Sequence, residues 1–448
     1  MKILQIPFQF VIGQLGGTEI YVESLCHNLL AHGISSVIAT PAAVQGVEKV
    51  FINGLAVFKF GKDPSPLFEY AYGKADVVAA RNFRDLLQEV RPDLVHFHAR
   101  SAVVSEALVV EAKRSGAKVV FTYHTPTVSC VRGTMMFMGR VQCDGVLDVT
   151  RCTKCVLQKH GLPEGLAAVF ARTPSSLGSL IARFGLRGGF WTVLRMRKLM
   201  ADAHRGFFGL VDMADSVVAV CDWVVDVLRR NGVCGPRLSL NRQGLPFRSE
   251  SALGDAPSRF SDSGPLRVAY FGRLDATKGI DVLINAALRD RAVDLTMTIY
   301  GVSQHSKDEY QSGLALSAAS DRRIAFVAPV APSAVVAEMQ KAHVIAVPST
   351  GLETGPLVVL EAFAAGTPVM GSQLGGIAEL VCHGVDGVLL PAGDVDAWAA
   401  ALAELARDRV RLRRLASGIS LPRTMAAVAS EMASLYSNVM ERAEIPKC

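Results

Sequence analysis

Two glutamates bracket an apolar stretch near the C-terminal end of the chain, ETGPLVVLEAFAAGTPV. The run LVVLEAFAA is apolar on every face, so it predicts a helix that is buried on all sides, and Glu361 lies within it. A carboxylate in such surroundings costs several kcal/mol unless it is paired or hydrogen-bonded. Hydroxyl groups of a ligand would satisfy Glu361 as well as a buried arginine would. Glu353 precedes the helix, at the mouth of a predicted crevice where a ligand would meet it first.

Two cations follow a predicted strand in the second half of the chain, in the sequence YFGRLDATKG. Arg273 and Lys278 on a strand-to-helix loop suit a diphosphate, Arg273 through its planar guanidinium and Lys278 as a point charge. The loop is not a Walker A motif, because the Gly-x-x-x-x-Gly-Lys-[Ser/Thr] pattern is absent. Two ordinary charges on a solvated loop are the alternative, which these residues alone leave open.

A glycine-rich turn follows the first predicted strand, in the sequence GQLGGTE. Gly13, Gly16 and Gly17 precede a predicted helix, where backbone N–H groups can approach an anion. The spacing is not Gly-x-Gly-x-x-Gly, so the turn does not indicate a dinucleotide. A tight turn without a ligand is the other interpretation.

Three histidines lie at the ends of predicted strands in the first half, His96 and His98 in DLVHFH and His124 in VVFTYHT. The carboxyl end of a parallel strand faces the crevice in which such sheets bind ligands. A loop follows His124 at once, which makes it the stronger functional candidate. His96 is interpreted as a hydrogen-bonded residue of the core.

Four of the nine cysteines cluster after His124, and the last two form a Cys-x-x-Cys pair. Thiolates at Cys130, Cys143, Cys152 and Cys155 would suit a tetrahedral structural zinc ion, although the first two spacings are looser than in common zinc modules. Free or simply packed thiols are an equal alternative. A disulfide framework is not expected, because thiols stay reduced in the cytosol.

Short apolar runs alternate with helical patterns along the whole chain, which is typical of β-α-β units and a parallel sheet. Each half of the chain therefore predicts a doubly wound, Rossmann-like α/β domain. The strands predicted in the first half are KILQIPF, SSVIAT, DLVHFH, AKVVFTYH and DSVVAVC. Those predicted in the second half are LRVAYFGRL, DLTMTIYG, RIAFVAPV, HVIAVPS, TPVMGS and GVLLPAG.

A stretch rich in Ser, Gly, Pro and Asp interrupts this alternation and predicts a linker. We expect an N-terminal domain at 1–248, a linker at 249–265, a second domain at 266–420 and a helical segment at 421–448 that packs back on the first domain. Two such domains would face each other across a central cleft, between the C-terminal ends of their sheets.

The composition is that of a globular protein, with 50% hydrophobic and 20% charged residues among 448 and a formal net charge of +6. A charge this small does not indicate nucleic-acid binding. A signal-like start and a charge-free apolar run of about 18 residues are both absent, so we expect a cytoplasmic protein. Residues 165–201 carry six cations, no acid and several aromatic side chains, which predicts peripheral contact with an anionic membrane at its inner face. A solvated helical face is the alternative.

Together these motifs resemble those of retaining glycosyltransferases of family 4, over nearly the whole chain. The resemblance rests on GGTE, FGRLDATKG, the Glu-x7-Glu pattern of Glu353 and Glu361, GSQLGGIAELV and DGVLLPAGD. It implies the GT-B fold of two Rossmann-like domains across a cleft. The cysteine-rich segment resembles an insertion in a subset of these enzymes, beside the acceptor side.

By this resemblance the donor is a nucleotide-sugar such as a UDP- or GDP-hexose, and the acceptor is a glycan or lipid-linked molecule in cell-surface polysaccharide synthesis. Arg273 and Lys278 would neutralise the diphosphate, and Glu361 would bind the ribose hydroxyls. Glu353 and His124 would contact the transferred sugar, and no catalytic metal is expected. The other residues that the resemblance assigns to the nucleotide-sugar site are Gly16, Gly17, Gly355, Leu357, Leu374, Gly375 and Gly376.

Two segments depart from the family pattern: NRQGLPF replaces a frequent Asn-Gly-Val, and RIAFVAPV lacks its usual glycine. Other functions stay open. A nucleotide-sugar epimerase of the same fold would need catalytic carboxylates that the sequence does not identify. A non-catalytic partner in polysaccharide assembly is disfavoured because the motif residues occur together. A double-Rossmann oxidoreductase is disfavoured because neither half carries a dinucleotide fingerprint.

Overall fold

The computed structural model describes residues 1–11, 16–246, 264–302 and 309–442, with only the backbone of residue 302. The chain divides into two compact units. The first contains Met1–Arg242 and Ala426–Cys448, and the second contains Gln243–Met425. The predicted linker at 249–265 lies outside the described residues except for its last two positions.

The first unit is built on a mostly parallel sheet. Its strands are β1 (Lys2–Ile6), β2 (Ser35–Ala42), β3 (Val47–Ile52), β4 (Leu55–Gly61), β5 (Leu94–Phe97), β6 (Lys118–Tyr123), the separate antiparallel pair β7 (Met136–Phe137) and β8 (Val141–Gln142), β9 (Ser216–Ala219) and β10 (Leu238–Leu240). The order across the sheet is β10-β9-β6-β5-β1-β2-β4-β3. Within this eight-stranded sheet, only β3 runs antiparallel to its neighbour. The order reverses between β1 and β5, which is where a doubly wound sheet opens a ligand crevice.

Helices cover this sheet, and one of them comes from the C-terminal end of the chain. They are α1 (Gly17–Leu29), α2 (Val77–Val90), α3 (Glu106–Arg114), α4 (Val149–Lys159), α5 (Glu164–Phe170), α6 (Ser175–Arg183), α7 (Gly189–Met213) and α8 (Asp222–Arg230). One further helix of this unit, Met425–Glu441, follows the second unit in the chain. In the described part of the chain, no helix is long and apolar enough to cross a membrane.

The hairpin of β3 and β4 was not among the predicted strands, although its turn carries a clear signal. Asn53 and Gly54 join the two strands with φ angles of 51° and 79°. Both central residues of a type I′ turn need positive φ, and Asn-Gly is the favoured pair for it. The strand itself was missed because β3, with the sequence VEKVFI, is largely exposed and lacks the apolar alternation that would indicate a buried strand.

The second unit is built on an all-parallel sheet, as predicted. Its strands are β11 (Leu266–Arg273), β12 (Leu295–Val302), β13 (Ile324–Val327), β14 (Val344–Val347), β15 (Val369–Ser372) and β16 (Gly387–Leu390), in the order β13-β12-β11-β14-β15-β16. Its helices are α9 (Ile280–Arg289), α10 (Glu309–Ala319), α11 (Val335–Met339), α12 (Leu357–Ala364), α13 (Gly375–Leu380), α14 (Val395–Arg407) and α15 (Arg409–Ser417). The helix of Met425–Glu441 is therefore α16.

Both faces of this second sheet are buried. Along β11, Val268 and Tyr270 pack in one core cluster, whereas Ala269 and Phe271 pack in another, as the alternation of side chains along a strand requires. Helices on both faces explain why its strands read as almost continuous apolar runs. Its order reverses between β11 and β14, so the loops after these two strands meet at one edge.

Candidate functional site

Two loops at the switch point of the second unit bring a lysine and a glutamate into contact. Lys278 ends the short 3-10 turn after β11, and Glu353 lies in the loop between β14 and α12. The Lys278 Nζ atom is 2.8 Å from Oε2 of Glu353. The side chains keep 24% and 17% exposure, so the ion pair is largely desolvated yet still accessible to a ligand. The structure thus brings together two residues that are 75 positions apart in the sequence.

The surroundings of Glu353 keep its carboxylate ionised. Burial by itself would raise its pKa, but the Lys278 charge and hydrogen bond, the Ser349 hydroxyl and the Arg273 charge together lower the pKa below its usual value. Ser349 donates its hydroxyl to Oε1 of Glu353. Ser349 was not predicted as a site residue, and no spacing rule would have selected a serine four residues before the carboxylate. Arg273, at the end of β11, acts here through its charge.

Two glycines, Gly279 and Gly376, let the backbone segments around this ion pair approach each other. Gly279 has φ of 65°, and a Cβ atom there would lie 2.0 Å from the carbonyl oxygen of Pro348. The N–H of Gly376 donates to the carbonyl oxygen of Glu353 at 2.6 Å. A Cβ atom on Gly376 would lie 2.8 Å from the backbone nitrogen of Gly355. The predicted residues Leu374, Gly375 and Gly376 therefore line the same edge as Glu353 and Gly355.

Glu361 lies on α12, one turn after Leu357. The prediction that this helix is buried on all sides is wrong, because the face that carries Leu357, Val358 and Glu361 is partly exposed. The opposite face, with Val359 and Phe363, is buried as expected. The Glu361 side chain therefore lies among apolar residues on the partly exposed side of the helix, which is the side that a ligand can reach.

The Glu361 carboxylate has no hydrogen bond or ion pair to any other residue that the structure describes. Burial raises its pKa from the usual 4.5 to about 7. A buried carboxylate with no protein partner among the described residues and a raised pKa is a group whose ionised form the hydroxyls of a ligand would stabilise.

The glycine turn of the first unit caps helix α1. Gly16 is the N-cap residue, Gly17 is the first helical residue, and the Gly16 N–H donates to Oε2 of Glu19 at 3.0 Å. A Cβ atom on Gly16 would lie 2.8 Å from the same carboxylate oxygen, so a larger residue there would make the Glu19 side chain shift. The glutamate of GGTE thus satisfies a backbone donor at the helix start. Gly13 lies outside the described residues.

A buried hydrogen-bonded chain holds His124 at the end of β6. His124 Nε2 lies 3.0 Å from His98 Nδ1, and His98 Nε2 lies 2.7 Å from Oε1 of Gln5 on β1. Tyr21 of α1 packs edge-on against the His124 ring, at 4.6 Å between centroids. The switch point between β1 and β5 creates this chain, because it places Gln5 beside the end of β5.

The hydrogen bonds assign the tautomers of both histidines. Burial lowers the pKa of His98 well below its usual value and that of His124 to about 3, so both rings are neutral at pH 7. Oε1 of Gln5 can only accept, so His98 carries its proton on Nε2 and accepts through Nδ1. His124 must then donate from Nε2, which leaves its Nδ1 atom as an acceptor for a hydroxyl donor.

His96 belongs to the core, as predicted. Its Nδ1 atom is 2.7 Å from the hydroxyl of Tyr436 on α16, and its Nε2 atom is 2.7 Å from the hydroxyl of Thr122. Both partners are buried. Neither Gln5 nor Tyr436 was a predicted site residue, since each acts through a contact that is distant in sequence.

The four clustered cysteines line one pocket of the first unit, together with Arg151 and His204. Burial, followed by the neighbouring thiols, raises the pKa of Cys152 to about 12, and burial raises that of Cys143. The Sγ atom of Cys155 accepts from the Met138 N–H at 3.3 Å. Within the described ranges no group of three or more His, Cys, Asp or Glu side chains could hold a metal ion. The geometry therefore gives the zinc prediction for Cys130, Cys143, Cys152 and Cys155 no support, and the thiols are free.

Comparison with known proteins connects both units to one class of enzyme. Residues 265–408 match the family model described as glycosyl transferases group 1, and residues 15–172 match that of glycosyltransferase family 4. Each unit therefore contains a segment that matches a glycosyltransferase family, and each match covers about one third of the chain. The first of these matches contains Lys278, Glu353 and Glu361, and the second contains Gly16 and His124.

Curated relatives of this chain carry one recurring name. The D-inositol 3-phosphate glycosyltransferase of Corynebacterium efficiens is 37% identical over 179 residues, which are 38% of this chain and 42% of that protein. That of Arthrobacter sp. strain FB24 is 25% identical over 416 residues, which are 88% of this chain and 83% of that protein. The chain therefore matches less than half of the length of the first relatives, and most of the length of the more distant one.

Solved structures of glycosyltransferases share the fold. Sucrose-phosphate synthase from Thermosynechococcus elongatus matches with a TM-score of 0.64 at 20% identity, over 98% of both chains. HepE of Anabaena, solved with UDP-glucose, matches with a TM-score of 0.62 at 17% identity, over 98% of this chain and 100% of that one. The predicted GT-B class, with two Rossmann-like domains, is confirmed.

Proposed function

We propose that this protein is a glycosyltransferase that moves a hexose from a UDP- or GDP-sugar to a glycan or lipid-linked acceptor, with retention of the anomeric configuration. The process that it serves in this proposal is cell-surface polysaccharide synthesis at the inner face of the membrane. The observation that carries the donor assignment is the Glu361 carboxylate, which lacks a protein partner among the described residues and has a pKa raised to about 7.

Glu361 fits a pair of ribose hydroxyls. Two vicinal hydroxyls can both donate to one carboxylate, and such charge-assisted hydrogen bonds favour its ionised form. Bound nucleotide would therefore lower the pKa of Glu361 while it gains two hydrogen bonds. The partly exposed face of α12 gives the ribose access to this carboxylate.

Lys278 and Arg273 fit the diphosphate of the same donor. Lys278 is accessible and already desolvated by its contact with Glu353, and the charge of Arg273 reaches the same carboxylate. Both cations would stabilise the negative charge that develops on the leaving diphosphate. A phosphate oxygen of the donor would then take the acceptor proton, so the reaction needs no protein base and no metal.

Glu353 and His124 are proposed to contact the transferred sugar. Glu353 stays ionised beside Lys278 and accepts from sugar hydroxyls. The acceptor atom Nδ1 of His124 suits another hydroxyl. Gly375 and Gly376 would pass close to the donor, because only glycine fits against the backbone of Glu353.

Similar proteins support the donor class. HepE has been solved with UDP-glucose, and another structure with this fold, named trehalose-6-phosphate from E. coli, was bound with UDP-2-fluoro glucose. The relatives' name specifies a phosphorylated inositol as their acceptor. Choice of nucleotide, sugar and acceptor depends on a few hydrogen bonds in each pocket.

Calorimetric titration of the full chain with UDP and GDP tests the donor site. Glu361→Gln keeps the shape but removes the charge, and charge-assisted hydrogen bonds contribute about 1.5 to 3 kcal/mol. We therefore expect one of the two nucleotides to bind the wild type and to bind the variant roughly tenfold to a hundredfold more weakly. Glu404→Gln is the matched control, because this exposed carboxylate lies near the end of α14.

Equal affinities of wild type and Glu361→Gln for both nucleotides would refute the ribose assignment. Incubation with the corresponding nucleotide-sugar distinguishes the enzymatic alternatives. Release of free sugar or transfer to an added acceptor supports the transferase, whereas a new epimer of the donor supports an epimerase. Binding without any turnover of donor, with or without acceptor, supports the non-catalytic partner.

A further inference from the structure

The helices α5, α6 and the start of α7 expose a cluster of large apolar side chains. Phe184 is 71% exposed, Val169 62% and Phe190 59%. Single exposed apolar residues are common on protein surfaces, whereas several on neighbouring elements are typical of an interaction site. The other large apolar residues exposed in this segment are Leu166, Leu177, Leu180 and Trp191. We call these seven residues, together with Arg172, Arg183 and Arg187, the α5–α7 surface.

Helix α6 presents its exposed apolar residues as one stripe. Leu177, Leu180 and Phe184 are separated by three and four positions, so they share a face of the helix. Gly178 and Ile181 are buried on a neighbouring face, and a Cβ atom on Gly178 would lie 2.7 Å from the Lys198 Cβ of α7. The stripe is therefore not the face with which α6 packs on its own domain.

Aromatic contacts join the ends of α5 and α7 to each other. The ring of Phe190 lies 6.0 Å from that of Phe170, and 6.0 Å from that of Trp191, between centroids. Phe190 and Trp191 nevertheless remain exposed. The apolar cluster thus includes an aromatic pair whose positions are fixed by neighbouring rings.

Three of the six cations in residues 165–201 are exposed at this surface, namely Arg172, Arg183 and Arg187. No ion pair in the described chain includes Arg172 or Arg183. Arg187 lies near Glu69, whose pKa its charge helps to lower. The segment itself contains no Asp or Glu, whereas Arg187 lines a pocket that also contains Glu69, Glu106 and Asp202 from neighbouring elements.

The other three cations of this segment make contacts within the first unit. Arg195 is buried and pairs with Glu69 at 2.6 Å. Arg197 donates to the hydroxyl of Thr150 and to a backbone carbonyl, both at 2.7 Å. Lys198 pairs with Asp202, one turn further along α7. Of the six cations in this segment, three, Arg172, Arg183 and Arg187, are therefore accessible to a binding partner.

We propose that the α5–α7 surface binds an anionic lipid bilayer, with the apolar stripe inserted at the headgroup level and the arginines on lipid phosphates. Apolar and aromatic side chains flanked by cations match the two zones of such an interface. A second copy of the chain fits less well, because a symmetric contact would bring the arginines of both copies together. The attachment is peripheral and does not depend on the proposed transferase activity.

Co-sedimentation of the full chain with vesicles tests this proposal. The vesicles contain phosphatidylcholine alone, or phosphatidylcholine with phosphatidylglycerol. We expect binding to the anionic vesicles, weak binding to the zwitterionic ones, and loss of most binding in about 1 M salt, where the Debye length is about 3 Å.

Two variants separate the contributions of charge and apolar surface. Each arginine near an anionic surface strengthens binding by about fivefold, so Arg172→Ala with Arg183→Ala should weaken it by about twentyfold. Leu180→Ser with Phe184→Ser should weaken it by at least about tenfold, since two buried apolar side chains are lost. Phe51→Ser with Arg322→Ala is the matched control, because both residues are exposed and lie elsewhere in the chain.

Three results would overturn the proposal. The first is anionic vesicle binding no stronger than binding to phosphatidylcholine. The second is binding that both variants leave at the level of the control. The third is a chain that does not sediment with vesicles but forms a dimer in analytical ultracentrifugation, with the dimer lost in Leu180→Ser with Phe184→Ser. Because all substituted side chains are exposed, unchanged unfolding midpoints are expected to show that each variant is folded.

Discussion

The environment of Glu361 suits ligand binding but lowers the stability of the fold. Its helix is apolar, and burial raises the pKa of Glu361 to about 7. Between pH 4.5 and 7 the folded state therefore holds a proton that the unfolded chain releases. The free energy of unfolding must fall as the pH rises through this range. The residue is retained at a cost in stability that a bound ligand can offset.

Replacement of Glu361 by glutamine should remove this pH dependence. We expect the stability of Glu361→Gln relative to wild type to increase by about 1 to 3 kcal/mol between pH 5 and pH 8, because glutamine cannot ionise. Urea unfolding at both pH values measures the difference, and Glu404→Gln provides the baseline for an exposed carboxylate. A difference between wild type and Glu361→Gln that is the same at both pH values would contradict the raised pKa.

Residue types predicted which charged residues and histidines belong to the candidate site, but not which residues they contact. Lys278 and Glu353 were both selected by their chemistry, but their contact with each other depends on the adjacency of β11 and β14. Gln5 and Tyr436 were missed because a glutamine on a strand and a tyrosine on a helix have no distinctive spacing. Their roles depend on histidines that are 93 and 340 positions away.

At the scale of elements, one tight turn positions the candidate diphosphate site. Gly279 follows Lys278 directly, ends the 3-10 turn and starts α9. Its φ of 65° is costly for other residues, and the space that a Cβ atom would need is occupied by the carbonyl oxygen of Pro348. The close contact holds the loop of Lys278 against the loop that leads to Glu353.

Gly279→Ala should therefore be much more damaging than an alanine at a comparable turn. Gly393 has φ of 78°, but a Cβ atom there would meet no other atom within 4 Å, so Gly393→Ala should cost only the backbone strain of about 1 to 2 kcal/mol. Gly279→Ala adds a steric clash with backbone and should cost clearly more, while nucleotide affinity falls because Lys278 is displaced. Urea unfolding and nucleotide titration of both variants measure this. Equal losses of stability would show that the contact with Pro348 relaxes freely.

Elements with strong apolar patterns were predictable, whereas partly exposed ones were not. The buried parallel strands of the second unit are apolar on both faces, and all of them were recognised. The strands β3 and β10 were not, because these edge strands lack a continuous apolar run, and β4, which lies between β2 and β3, was missed with them. Helix α12 was recognised, but its one accessible face could not be seen in a run of apolar residues.

At the scale of the whole molecule, the two units respond to pH in opposite directions. His96, His98, His124 and His204 of the first unit are buried, and burial lowers the pKa of each. A depressed folded-state pKa stabilises the fold above about 6.5 and loses that effect as the pH falls below it. Four such groups give a slope of up to about 5 kcal/mol per pH unit. Glu361 of the second unit instead favours acidic conditions.

Tryptophan fluorescence can follow the two units separately. Trp398 is buried in the second unit, whereas Trp191 and Trp223 belong to the first. In Trp398→Phe the urea midpoint should fall when the pH is lowered from 7.5 to 5.5. In Trp191→Phe with Trp223→Phe the midpoint should rise or stay unchanged. Parallel shifts in both variants would contradict the assignment of acid-sensitive groups to the first unit.

The return of α16 has a consequence for biosynthesis. Its buried residues, including Met432 and Tyr436, belong to the first unit, although about 180 residues of the second unit are translated before them. The second unit is continuous in the chain and can fold as soon as it leaves the ribosome. The first unit must wait, with His96 lacking its Tyr436 partner, until the last helix emerges. Translation therefore completes the two domains in the reverse of the order in which it starts them.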